Sequence, residues 1–86
     1  MYSGRKEKVK IEFNNYMVGV FLDRFGKDIT IAPIDEKNSY THVDVAISPQ
    51  FFAWILSLGD EVKITGPAVV VDEMKEYVQA FLDRYK

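Results

Sequence analysis

Ser48-Pro49-Gln50-Phe51-Phe52-Ala53-Trp54-Ile55-Leu56-Ser57-Leu58-Gly59-Asp60-Glu61-Val62-Lys63-Ile64-Thr65-Gly66-Pro67 changes its hydrophobic period partway along, and that change decides the fold. Ser48 suits a helix N-cap, and Pro49 suits the first helical position, where its missing amide has no partner to lose. Phe51, Phe52, Trp54, Ile55 and Leu58 recur at helical spacing until Gly59 closes the helix. From Asp60 to Thr65 the period falls to two, with Val62 and Ile64 on one side and Glu61, Lys63 and Thr65 on the other, so a short strand follows. Gly66-Pro67 breaks it.

Upstream, Tyr40 to Ile47 also alternates, turning Val43, Val45 and Ile47 inward and Tyr40, His42, Asp44 and Ala46 outward. The polar turn Asp35 to Ser39 joins it to a strand over Ile29 to Ala32, and the short connection predicts an antiparallel hairpin. Pro33 cannot donate to a ladder and confines that strand to a sheet edge. Tyr16 to Phe25 sets Val18, Phe21, Leu22 and Phe25 on one helical face, with Asn14 or Asn15 as cap and Gly26 as stop. Before it, Lys8 to Phe13 reads as a strand with Val9, Ile11 and Phe13 inward and Lys8, Lys10 and Glu12 outward. Beyond Pro67, apolar residues at Val70, Met74, Tyr77, Val78, Phe81 and Tyr85 predict the longest helix. Residues 1–8 read as a polar linker and 9–86 as one domain. The predicted order is an α+β, ferredoxin-like βαββαβ fold: a four-stranded antiparallel sheet with helices on one face, plus a C-terminal helix. In that order the first and third strands are central and the fourth lies beside the first, which would put Lys10 near both Asp44 and Lys63.

The 86 residues, 48% apolar, suffice for one small core. Eleven Lys and Arg against thirteen Asp and Glu give a net charge of −2, which argues against disorder and against a generally basic nucleic-acid binder. Without cysteine there is no disulfide, no thiolate nucleophile and no Cys-based zinc site, and the single His42 needs carboxylates beside it to hold a metal. No metal or cofactor is expected. The longest apolar runs fall far short of the roughly 20 residues of a membrane span, and the N-terminus lacks the apolar stretch of a signal peptide, so the expected setting is the cytoplasm, away from membranes.

Phe51, Trp54, Ile55, Leu58, Val62 and Ile64 are the expected core, and Trp54→Ala is expected largely to unfold the domain. Lys8, Lys10, Tyr40, His42 and Lys63 fall on the sheet face that the helices leave open. They either form a solvated, salt-bridged surface, contact a ligand's phosphates while Tyr40 or His42 stacks on a base, or meet another subunit. His42 and Asp44, two apart, suggest a general base, but no oriented nucleophile, metal cluster or Gly-rich anion loop accompanies them, so no enzyme is expected. Val71, Val78 and Leu82 widen the apolar row of the last helix beyond what one small sheet needs. They cover the protein's own core or a homodimer interface.

Phe51, Trp54, Ile55, Leu56, Gly59, Val62, Ile64, Pro67 and Tyr85 occupy the places of a specific pattern: an aromatic-rich helix ending at Gly, a short strand, a Pro and a terminal helix closing near a Tyr. This resembles the WCX-type C-terminal extension of WYL-domain bacterial transcriptional regulators. Ile55 and Gly66 depart from the pattern, which usually has Leu after the Trp and an acidic residue before the Pro. The resemblance implies a parent polypeptide with an upstream winged helix-turn-helix that binds DNA and a WYL domain that senses a ligand, in some members single-stranded nucleic acid. The extension would then help dimerisation and flank the ligand. Neither a Trp-Tyr-Leu motif nor a helix-turn-helix pattern occurs in these residues. The rival expectation is a free-standing small-molecule sensor of the amino-acid-binding kind, which shares the βαββαβ order; against it, no Gly-rich turn follows the first strand.

Overall fold

A computed structural model describes residues 5–85. Strand β1 spans Lys6–Asn14, followed by a 3-10 turn at Asn15–Met17 and helix α1 at Val18–Phe25. Then come β2 (Ile31–Pro33), β3 (Asn38–Ala46), α2 (Pro49–Ser57), β4 (Val62–Gly66) and α3 (Ala68–Arg84). The strands lie in the order β2-β3-β1-β4, and every neighbouring pair is antiparallel. This is the ferredoxin-like arrangement with an added C-terminal helix. The crossovers through α1 and α2 each skip one strand.

Local chemistry sets the boundaries. Asn14 Oδ1 accepts from Tyr16 N and caps the 3-10 turn, and Ser48 Oγ accepts from Phe51 N to cap α2, with Pro49 in its first turn. Gly26 and Gly59 follow α1 and α2 with φ of 92° and 93°, a region that a side chain makes costly. Asp35 Oδ1 accepts from the amides of Lys37 and Asn38, which closes the β2–β3 turn and holds the Asp35 carboxyl below its ordinary range.

One core lies between the sheet and the helices. Val9, Ile11 and Phe13 of β1, Val43 and Val45 of β3, and Val62 and Ile64 of β4 meet Phe21, Phe51, Phe52, Ile55 and Val70 from the three α-helices. Phe13 stacks on Phe21 at 4.3 Å between ring centroids. Of the expected core, Phe51, Ile55, Val62 and Ile64 are buried, whereas Trp54 and Leu58 are half-buried. Trp54 sits at the margin, edge-on to Phe21 and Phe25, with the Arg24 guanidinium 5.2 Å from its ring centre. Phe52, absent from the expected core, is fully buried instead and packs against Tyr77 of α3.

β1 opens at Lys6, so residues 6–8 of the expected linker are strand, and residues 1–4 lie outside the described part. The extension has a cause. Lys6, Glu7 and Lys8 pair with Ala46, Val45 and Asp44, Ile47 N donates to Arg5 O, and the Arg5 guanidinium binds both Glu7 and Glu73 of α3. The fork of Arg5 on Glu73, with Nη1 at 3.2 Å from Oε2, ties the start of the sheet to the last helix.

That bond makes stability depend on pH. The Arg5 hydrogen bond holds the Glu73 carboxyl below its ordinary range. A group with a depressed folded-state pKa contributes stability above its unfolded pKa and loses it as pH falls through the folded value. Arg5→Ala is therefore expected to lower the melting temperature by about 2 °C at neutral pH, since both groups are partly solvated, and by nothing in strong acid. Thermal melts of both proteins at neutral and strongly acidic pH check this; an equal deficit at both would remove the assignment.

Candidate functional site

The face of the sheet opposite the core carries Lys8, Lys10 and Glu12 from β1, Tyr40, His42 and Asp44 from β3, and Lys63 from β4. Period two puts them there, because their neighbours Val9, Ile11, Val43, Val62 and Ile64 are drawn into the core. Register decides which meet. Lys10 lies opposite His42, Lys8 opposite Asp44, Glu12 opposite Tyr40 on one side and Lys63 on the other. Lys10 thus has Asp44 and Lys63 as diagonal neighbours and neither directly opposite it: Lys63 pairs with Glu12 in the regular part of the β1–β4 ladder, and the irregularity between Lys10 and Ile11 sets Gly66 in place of Thr65 against Lys10.

Lys10, Tyr40 and His42 form one cluster. The Lys10 ammonium stands 4.4 Å from the centre of the Tyr40 ring, and His42 meets that ring edge-on at 5.7 Å. Lys63 stands apart from it, and Lys8 flanks it through Asp44. The expected cross-strand salt bridges are not what the charges form: among the described residues the ion pairs run from Arg5 to Glu7 and Glu73. No group of three or more His, Cys, Asp or Glu side chains among them is placed to hold a metal ion.

Concavities lie on both flanks of the sheet. A cleft of about 490 Å³ runs along the outer side of β3, lined by Lys8, Tyr40, His42 and Asp44 together with Phe25, Asp28, Ile29 and Thr30. A groove of about 560 Å³ runs along β4, between Ile55 and Leu56 of α2 and Val71, Met74 and Val78 of α3. The first was not visible in the sequence because it exists only where β2 stops short of β3. The second continues into the outer end of α3. Along α3 Val70, in the first turn, is buried and Met74 and Tyr77 are half-buried, but Val78, Phe81 and Leu82 are 40%, 47% and 51% exposed. Of the residues singled out for an interface, Val71 thus lies in the groove wall, Val78 at its mouth and Leu82 beyond it.

No helix among the described residues is long and apolar enough to cross a membrane. No curated protein and no solved structure matches the sequence. The sequence does match the WCX domain over residues 5–82, from the Arg5 anchor to the outer turn of α3. The chain belongs to the WCX domain family, the C-terminal extension that the pattern from Phe51 to Pro67 resembles.

Proposed function

We propose that this chain is the C-terminal subdomain of a WYL-type helix-turn-helix transcriptional regulator. It joins two copies of the parent and flanks the ligand of the upstream WYL domain, with no catalysis of its own. The observation that carries the joining role is the outer half of α3, where Val78, Phe81 and Leu82 stay half in water and Val78 shares the groove with the exposed Leu56. Contiguous apolar surface of this kind is what a two-fold partner covers. Light scattering across a dilution series tests it. The expected mass is that of two chains at high micromolar concentration, falling toward one on dilution; a single-chain mass throughout would remove the role.

The flanking role belongs to the open sheet face. Lys10, Tyr40 and His42 supply a fixed cation, an aromatic ring and an imidazole side by side, and Lys8 adds a further charge. This set suits an oligonucleotide, phosphates meeting lysine and a base meeting a ring. Anisotropy of a labelled single-stranded oligonucleotide should rise with protein at low salt and fall back as salt is added. Lys10→Ala should weaken that binding several-fold; absence of binding at low salt would discard the reading.

A further inference from the structure

β3 is long and its outer neighbour is short. β2 pairs only with Ser39, Tyr40 and Thr41, and upstream of Ile31 the chain leaves the ladder, with Thr30 O held by the Thr41 hydroxyl at 2.7 Å. The stretch from His42 to Ala46 therefore keeps one open side. Which main-chain groups face that side follows from the ladder. Ile47 N donates to Arg5 O, and Ile34 N donates to Asn38 O. In an antiparallel sheet bonded pairs alternate, so the odd residues of β3 bond inward to β1 and the even ones point outward. The N–H and C=O groups of His42 and Asp44 thus project into the cleft of about 490 Å³.

We propose that this open edge binds an extended peptide segment as an added antiparallel strand, selecting a basic–apolar–acidic run. The residues bonded to Asp44 and His42 share the open face with them. Asp44 favours a cation opposite it, while His42, with Lys10 as its cross-strand neighbour, favours an anion. The residue between them turns to the other face, where Phe25, Ile29 and Val43 line the cleft and take an apolar side chain. A second copy of this chain offers the run His42-Val43-Asp44, which also satisfies the charges, but its β3 would continue past Thr41 into the space held by β2. A short free segment avoids that collision. The site is independent of the α3 surface, so either can fail alone.

Amide hydrogen exchange provides the test. In the free chain the His42 and Asp44 amides are expected to exchange far faster than those of Val43 and Val45. Saturating acetyl-Thr-Lys-Val-Glu-amide, which ends opposite His42 and so stops short of Ile31, should slow the His42 and Asp44 amides by about tenfold or more and leave the others unchanged. The peptide with Lys and Glu exchanged should bind several-fold more weakly, and the double variant His42→Glu, Asp44→Lys should reverse that preference. A peptide N-methylated at the Lys and Glu amides loses the ladder and should not bind, which tests the site without altering the protein. Equal binding of both charge orders, no slowing with either peptide, or protection that grows with protein concentration alone would overturn the proposal, the last by giving the edge to a second copy.

Discussion

Phe52→Ala is expected to remove a large share of the domain's stability and to bring its urea midpoint well below the parent's. The ring is fully buried, sits beside Phe51 and Tyr77, and fills the space between α2, α3 and the sheet. Removing such a ring costs about 3–5 kcal/mol, because transfer energy is lost and the cavity collapses only in part. A chain of this length has a total stability of about 4–13 kcal/mol. Trp54→Ala removes a larger ring at lower cost, because the indole is only partly buried at the core's margin, under Arg24. Urea unfolding of the two variants and the parent orders them. If the Phe52 variant keeps the parent's midpoint, or the Trp54 variant is the weaker of the two, the core is misassigned.

The second large effect concerns association. Val78→Glu together with Leu82→Glu places two carboxylates on the exposed outer face of α3. Each apolar side chain withdrawn from a contact forfeits about 1.5–3 kcal/mol. Across a two-fold axis every change is present twice, so the dimer constant should weaken by at least about a thousandfold. The fold itself should persist, with a melting temperature within about 2 °C of the parent's monomer, because neither side chain is buried in its own domain. Sedimentation equilibrium with a parallel thermal melt separates the outcomes. A variant that still dimerises places the interface elsewhere, and one that unfolds shows that this face serves its own core.

What the sequence made legible was whatever a single period reveals. Helix α2 and its caps, the alternation of β1 and β3 and the edge position of β2 follow from spacing, Ser48, Pro49, Gly59 and Pro33. Polar residues at inward positions hid the rest. Glu7 occupies an inward place at the start of β1, satisfied by Arg5, and Ser39 another in β3, its hydroxyl donating to Asn15 Oδ1 at 2.5 Å. Both strands are therefore longer than alternation suggested. The exchange of Trp54 for Phe52 in the core has a different origin: α3 docks on the side of α2 that Phe52 faces, and no local pattern encodes a docking direction. The cleft beside β3 depends on the length of β2, which is set by where Thr30 is tethered.

The central position of β1 also bears on how the protein is made. Its two neighbours come late: Lys6 must wait for Ala46, and Lys10 for Gly66. During synthesis from the N-terminus, the strand that ends up most enclosed emerges first and stays unpaired longest, with Val9, Ile11 and Phe13 bare on one side. Its alternate lysines keep the nascent strand charged through that interval, a safeguard against sticking to other chains before its partners leave the ribosome.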